Sequence, residues 1–313
     1  MESFRSNETT EDPDKSAPKW EVLSIICCLS FIGIVGNAAV CFVIYRTKAM
    51  HNATNYLIVN LAVADFFVCV FSLLQFLLRD LWPSSVIGKK LFCYFIYSEF
   101  FLWLTTISSP LALVLVFFER FIGIVYPLHY NGLVTNTRLL IVVLSQWIIS
   151  IALEIFWFPF IQLSEELDVC YFNSTATTDI ILYTTQLFFR FVFPITALVY
   201  LYYRMFASLR QNARIGGVNA SNNQAENETV RARKNILTNL LIVTVLFMAL
   251  LTPCQFVLFW QEISVRVTSK SINLDIIFTY TMVLCNSVVN PLVYAFRYKQ
   301  FQRAMLRLMS KSP

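Results

Sequence analysis

The sequence is short of charge, glycine and histidine. Only 14% of its 313 residues are charged and 57% are hydrophobic, whereas about a quarter of the residues in a soluble domain are charged. Seven glycines leave no glycine-rich phosphate-binding loop. The two histidines, His51 and His129, fall in separate loops, so a histidine-based metal site is not expected. These shortages indicate an integral membrane protein that is not an enzyme.

Long apolar runs take the place of the missing charge. Seven of them have the length of a membrane-spanning helix: Glu21–Tyr45, Asn55–Leu78, Leu91–Tyr126, Leu139–Phe160, Ile180–Phe206, Ile236–Trp260 and Asp275–Phe296. The predicted fold is an all-α membrane protein, a seven-transmembrane helix bundle over residues 21–296. Residues 1–20 form a polar tail that lacks the basic start and short apolar core of a cleaved signal peptide, so we expect the first run to act as a signal anchor.

The C-terminal residues 297–313 have a different pattern. They predict a short amphipathic eighth helix on the inner membrane surface, followed by a short cytoplasmic tail. Its apolar face carries Phe301, Met305, Leu308 and Met309. Between the fifth and sixth runs, residues 211–228 form a polar, asparagine-rich linker that is expected to be mobile.

Lysine and arginine in the short connections predict the orientation. With the N-terminus outside, the inner connections hold the larger share of these residues, although the pair Lys89–Lys90 runs against the trend. We therefore predict a multi-pass membrane protein with residues 1–20 outside. The sequons at Asn7 and Asn173 then lie on outer segments and are predicted to be glycosylated.

The cysteines and the third run frame the centre of the chain. Six of the eight cysteines fall within the spans, while Cys93 and Cys170 are predicted outside, where the compartment is oxidising, so we expect a disulfide between them. A helix from Cys93 to Arg120 would rise roughly 40 Å and cross a bilayer. It ends in the charged pair Glu119–Arg120.

Polar residues inside the spans form a second pattern: Asn37, Asp65, Ser109, Asn286 and Asn290. Each alone is compatible with a satisfied hydrogen bond between helices. Together, a carboxylate with hydroxyl and amide groups from other helices is typical of an internal ion or water site.

Short motifs occur in a fixed order along the chain. They are Gly36-Asn37, Leu61–Asp65, Cys93, Ser109, Glu119-Arg120-Phe121, Pro127-Leu128, Trp147, Pro194 with Tyr202, Phe247 with Pro253, Asn290–Tyr294, and Phe296-Arg297 with Phe301. With this set the chain resembles the rhodopsin-like (class A) G-protein-coupled receptors from about Glu21 to Met309.

The resemblance implies a cell-surface receptor that binds an extracellular peptide or small organic ligand and activates heterotrimeric G proteins. It implies a G-protein switch formed by Glu119, Arg120, Tyr202, Asn290, Pro291 and Tyr294. It implies a pocket for an allosteric Na⁺ ion formed by Asp65, Ser109, Asn286 and Asn290, with no other cofactor. It also implies the disulfide Cys93–Cys170. Membrane lipid is the other expected partner, and nucleic acid is not one despite the net charge of +5.

The chain departs from the family pattern at several positions. Leu251 stands where the family carries its toggle tryptophan, which suggests altered gating or basal activity. Cys93 lies two residues farther from Arg120 than is usual, so a bulge or a shifted loop is expected. Glu119 and Phe121 replace the commoner aspartate and tyrosine.

The resemblance also places a ligand cavity among Glu99, Leu102, Trp103, Thr106, Arg190, Gln255 and Tyr280. Leu102 stands where amine receptors carry an aspartate, which argues against a biogenic amine. Leu284 stands where visual pigments carry the retinal lysine. Tyr130–Thr135 and Phe172 are similar to adenosine receptors, but Leu258 replaces their purine-binding asparagine.

Arg190 has two possible partners at this stage. It forms an ion pair with Glu99 or Glu154, or it receives an acidic group of the ligand. The alternative function is a multi-span transporter or channel. That alternative predicts internal repeats or rings of charge, and neither is found in the sequence.

Overall fold

The computed structural model describes residues 19–216, 224–268 and 273–310, and most of them are helical. We label the eight principal helices in chain order: α1 Lys19–Arg46, α2 Ala53–Leu78, α3 Phe100–Val125, α4 Asn136–Ile155, α5 Phe193–Gly216, α6 Gln224–Thr268, α7 Asn273–Arg297 and α8 Lys299–Ser310. The predicted seven-helix bundle with a short eighth helix is confirmed.

Shorter helical segments join these helices. An α-helix Val86–Phe92 and a π-helix Cys93–Tyr97 precede α3, and an α-helix Ala176–Leu187 and a π-helix Phe188–Val192 precede α5. A four-residue helix, Tyr130–Leu133, lies between α3 and α4.

The seven long helices form a closed bundle with α3 at its centre. Helix α1 packs against α2 and α7, α3 packs against α2, α4 and α5, and α6 packs between α5 and α7. In the described part of the chain, six helical stretches are long and apolar enough to cross a membrane. Large apolar side chains such as Phe31 and Ile148 point outward, as expected where lipid is the solvent.

A close approach between α1 and α2 explains one glycine. A Cβ atom on Gly33 would lie 2.3 Å from Cys69 Sγ, so a larger residue would push the two helices apart. One turn along, the Asn37 amide donates hydrogen bonds to Gly33 O at 2.9 Å and to Ser287 O at 3.1 Å. Asn37 thus links α1 to α7 and has a structural role.

One element of the described chain is not helical. Strands β1 Ile161–Ser164 and β2 Val169–Phe172 form an antiparallel hairpin between α4 and α5, with Ile161 opposite Phe172. This short hairpin does not change the fold class, which is an all-α membrane protein, as predicted. We call this end of the bundle the hairpin end, and the opposite end, which carries Arg120, the Arg120 end.

The hairpin is fixed to the bundle by a disulfide and an ion pair. The predicted bond between Cys93 and Cys170 is formed. Asp168, in the hairpin turn, accepts from Lys89 Nζ at 2.5 Å and from Trp82 Nε1 at 3.0 Å. The hydrogen bond from Lys89 holds the pKa of Asp168 below its usual value. Lys89, which ran against the predicted orientation, therefore has a local partner.

The helix expected from Cys93 to Arg120 is interrupted. The π-helix Cys93–Tyr97 is followed by Glu99 in the left-handed conformation, with φ 57° and ψ 29°, and α3 begins only at Phe100. A π-helical turn takes up extra residues, so the bulge expected from the position of Cys93 is confirmed. Its effect is to set Glu99 at the start of α3.

The predicted boundaries also change at the Arg120 end. Helix α5 continues to Gly216 and α6 starts at Gln224, so the predicted linker is helical at both ends. Residues 217–223, the tail with Asn7, and residues 311–313 lie outside the described residues. In α8, Phe301 and Ala304 are buried in a cluster with Val43 and Ile44 of α1, so part of its apolar face packs on the bundle.

Candidate functional site

Several hydrogen-bond donors surround the Glu119 carboxylate at the Arg120 end. Arg120 Nε lies 3.4 Å from Glu119 Oε2, to which Thr54 Oγ1 donates at 2.9 Å. The hydroxyl of Tyr130 donates to the other oxygen, Oε1. Burial, together with this bond to Glu119, raises the pKa of Tyr130 to about 12. Tyr130 therefore remains a donor at physiological pH.

A cavity of about 660 Å³ opens beside this pair. Glu119, Arg120 and Tyr294 line it, together with Arg297 and Tyr298. The three other predicted switch residues are not among its lining residues. Tyr202 packs against the apolar core between α3, α5 and α6, Asn290 bonds to Asp65, and Pro291 faces Gly36 of α1.

A buried carboxylate lies in the middle of the bundle. Asp65 Oδ1 accepts from Ser109 Oγ at 2.6 Å and from Ser287 Oγ at 3.0 Å, and Oδ2 accepts from Asn290 Nδ2 at 2.7 Å. Two of the predicted partners, Ser109 and Asn290, therefore contact Asp65. Sequence reasoning missed Ser287 and named its neighbour Asn286, which is buried but shows no bond to Asp65.

The Asp65 site has the ligands of a small hard cation but no positive charge. Among the described residues the donors to Asp65 are all neutral, and no ion pair includes it. A carboxylate in a membrane bundle is costly without a counter-charge. Carboxylate, hydroxyl and amide oxygens are the ligands that alkali and alkaline-earth cations prefer. These residues therefore fit a Na⁺ ion.

The hairpin end contains a second cavity, of about 230 Å³. Four predicted residues line it: Glu99, Trp103, Arg190 and Gln255. Most of the remaining wall is aromatic: Tyr97, Phe100, Trp157, Phe172, Tyr183 and Phe259. Sequence reasoning named Phe172 from the resemblance and missed the other five aromatic residues, because aromatic residues are common throughout this chain.

Three predicted cavity residues are not among those that line it. Leu102 is buried in a cluster with Cys254 and Val283. Thr106 Oγ1 donates to Leu102 O at 2.8 Å, within its own helix. Tyr280 packs on the same cluster and donates its hydroxyl hydrogen to Glu99 Oε1. Leu102, Thr106 and Tyr280 therefore contact other parts of the bundle, and Tyr280 reaches the cavity only through its bond to Glu99.

Arg190 has an internal partner, and that partner is Glu154. Arg190 Nη2 lies 3.4 Å from Glu154 Oε1 and 2.6 Å from Gln186 Oε1. The Gln186 amide in turn donates to Glu154 at 3.2 Å. The guanidinium lies 4.4 Å from the centre of the Trp103 ring, as in a cation–π contact. Of the two acids that the sequence offered, Glu99 instead pairs with Tyr280.

The chain is similar to one family model and to several known receptors. The sequence model of the 7 transmembrane receptor (rhodopsin family) matches residues 36–294. Similar proteins include the allatostatin-A receptor of Bombyx mori, 27% identical over 91% of this chain and 78% of the relative. The adenosine receptor A2a of Canis lupus familiaris is 25% identical, over 93% and 72%. The melatonin receptor type 1A-A of Danio rerio is 26% identical, over 99% and 88%.

Proposed function

Because this chain belongs to the rhodopsin family of seven-transmembrane receptors, and is a G-protein-coupled receptor, we propose that its ligand binds in the cavity at the hairpin end. As a member of this family it is a multi-pass membrane protein that binds an extracellular ligand and signals through G proteins. It is not an enzyme. The comparisons give no support to the transporter or channel alternative.

The observation that carries the proposed site is the burial of charge around the aromatic cavity. Glu154 and Arg190 are 3% and 5% exposed, and both line the cavity with Glu99. An ion pair buried in a low-dielectric bundle adds little to stability compared with apolar residues of similar size. Intramembrane ionisable residues at a cavity are typical of a functional site.

The orientation is part of the proposal. We place the hairpin end outside the cell, at the plasma membrane, because the Cys93–Cys170 disulfide requires an oxidising compartment. The G protein then reaches the cavity beside Arg120, and α8 lies along the inner lipid surface. Ligand binding would favour one of two packings of α3, α6 and α7, as in any population shift between pre-existing states.

The two cavities and the Asp65 site lie at three levels of one bundle. Helix α3 passes through all three, since it begins after Glu99, contributes Ser109 to the Asp65 site and ends beyond Arg120. This supports a role for α3 as the connection between ligand and G protein. We propose that the Asp65 site holds Na⁺ in the inactive packing.

The size of the ligand cavity favours a compact ligand. About 230 Å³ lies below the roughly 300–1,000 Å³ of typical small-molecule pockets. The relatives are named for a peptide, allatostatin-A, and for small molecules, adenosine and melatonin. A small organic molecule, or the terminal residue of a peptide, fits this space.

The site is tested by screening small molecules and peptides for nucleotide exchange on co-expressed G proteins. Any agonist is then titrated on Trp103→Ala and on Trp260→Ala, a control on the exposed face of α6. We expect Trp103→Ala to reduce agonist potency at equal surface expression and Trp260→Ala to leave it unchanged. Equal potency in all three proteins would place the ligand elsewhere.

A further inference from the structure

The cavity at the hairpin end has one carboxylate more than it has cations. Among its described lining residues, Glu154 is paired with Arg190. Glu99 accepts a hydrogen bond from Tyr280, but no described cation lies within ion-pair distance of it. Glu99 itself has a left-handed backbone conformation and immediately precedes the first residue of α3. Such backbone conformations are unfavourable for non-glycine residues and cluster at functional sites.

The same cavity offers hydrogen-bond donors that have no acceptor. Gln255 Nε2 and Arg190 Nε are buried, and neither finds an acceptor within the described part of the chain. Both side chains line the cavity. A buried donor left without a partner is costly, so an acceptor supplied from the cavity would be favourable.

The aromatic side chains that line the rest of this cavity can contact either a cation or an aromatic ring of a ligand. Aromatic faces attract cations through the ring quadrupole, and Trp103 already holds Arg190 in this way. Tyr97 and Phe172 belong to the same wall. Their rings contact each other with centres 5.5 Å apart and planes tilted by 33°. A compact ligand with an aromatic ring therefore has ring surfaces to pack against.

We propose that this cavity takes a compact aromatic ligand whose protonated nitrogen pairs with Glu99 and whose acceptor oxygen receives the donors of Gln255 and Arg190. The proposal rests on the cavity being the ligand site. It revises the expectation drawn from Leu102, because the carboxylate that an amine needs is supplied three residues earlier, by Glu99. The nitrogen belongs either to a small arylalkylamine or to the N-terminal aromatic residue of a peptide.

The test measures thermal stabilisation of the purified full-length receptor by matched probes. The amine probes are tyramine and 5-hydroxytryptamine, each of which carries a phenolic oxygen as well as the amine. The neutral probes are their N-acetyl derivatives, and the acidic probes are the corresponding arylpropionic acids. Tyrosine-initiated tetrapeptides with a free or an acetylated N-terminus distinguish the peptide source from the small-molecule source. This readout does not depend on G-protein coupling.

We expect stabilisation by the protonated probes of at least one source and none by their acetylated or acidic counterparts. Glu99→Gln should weaken that binding about 30-fold or more, since loss of one partner of a desolvated charge pair costs about 2 kcal/mol or more. If Glu99→Gln folds poorly, Glu99→Asp takes its place in the test. Because Glu99→Asp keeps the charge, it should retain part of the preference for protonated probes. Glu166→Gln, on the exposed hairpin turn, should behave as wild type.

Three results would overturn the inference: no stabilisation by any protonated probe, equal stabilisation by acetylated or acidic probes, or unchanged amine binding in Glu99→Gln. Trp103→Ala separates this failure from failure of the proposed site. If the neutral or acidic probes bind and lose affinity in Trp103→Ala, the cavity remains the ligand site and only the ligand class is wrong. If binding is insensitive to both variants, the proposed site is wrong as well.

Discussion

Arg120 lies with its Nε atom 3.4 Å from Glu119 Oε2, farther than the separation of about 2.8 Å that is typical of a charge-assisted hydrogen bond. Thr54 and Tyr130 supply donors to the same carboxylate. The charge of Glu119 is therefore stabilised from three sides, and Arg120 is only one of its partners. A small change in free energy is enough to separate the pair.

This arrangement predicts the effect of Glu119→Gln. Removing the negative charge should release Arg120 and raise basal nucleotide exchange by up to about fivefold, because a partly exposed ion pair is worth about 1 kcal/mol or less. Exchange is measured on membranes with equal receptor density. Glu165→Gln, an exposed hairpin residue, serves as the control. An unchanged or lower basal rate in Glu119→Gln would contradict the prediction.

The ion pair of Arg190 and Glu154 predicts an asymmetric rescue. Arg190→Ala leaves Glu154 buried without its counter-charge, which typically costs about 3–5 kcal/mol. Surface expression and thermal stability should therefore fall. Adding Glu154→Gln to Arg190→Ala should restore both, whereas adding Glu99→Gln should not, because Glu99 pairs with Tyr280. Arg210→Ala, an exposed change on α5, is the matched control. Recovery of Arg190→Ala by added Glu99→Gln but not by added Glu154→Gln would contradict the observed pairing.

The Asp65 cluster predicts a specific response to sodium. Replacing choline chloride by sodium chloride should raise the melting temperature of the purified receptor, and Asp65→Asn should abolish this increase because it removes the charge that a cation needs. Ser287→Ala should reduce the increase more than Asn286→Ala, since Ser287 contacts Asp65. An equal sodium response in wild type and Asp65→Asn would argue against a cation at this site.

Glycosylation tests the orientation. Asn173 follows β2 and is exposed at the hairpin end, so it should carry a glycan if this end faces outside. Asn7 should carry one too. Asn173→Gln and Asn7→Gln should each reduce the mass of the cell-expressed protein, and the double variant should be insensitive to glycosidase. A glycan on Asn219 or Asn227 would reverse the orientation.

Sequence motifs predicted the features that depend on order along the chain. The seven helices, the eighth helix and the Cys93–Cys170 disulfide follow from hydropathy, periodicity and compartment. Angular position within a helix was harder to predict. Asn286 and Ser287 are adjacent and both buried, so the choice between them depends on how α7 is rotated against α2, which the sequence does not encode locally.

The cavity residues show a second limit. Seven positions were predicted, and Leu102, Thr106 and Tyr280 are not among the residues that line the cavity. Leu102 packs with Cys254 and Val283 in an apolar cluster. This cluster depends on contacts between helices, which the sequence does not specify locally. The sequence also leaves the partner of Arg190 undecided, because Glu99 and Glu154 are both glutamates. The helix is broken before Phe100, and Glu99 accepts a hydrogen bond from Tyr280. Glu154 is therefore the partner of Arg190.

The most direct test of the whole account is nucleotide exchange by Arg120→Ala. If this chain signals through the cavity at the Arg120 end, both basal exchange and exchange driven by any agonist should be lost in this variant. Surface expression and ligand stabilisation should remain near wild type, since Arg120 is remote from the hairpin end. Arg138→Ala, a neighbouring basic change at the start of α4, should retain exchange. Undiminished exchange from Arg120→Ala at wild-type surface density would contradict the account.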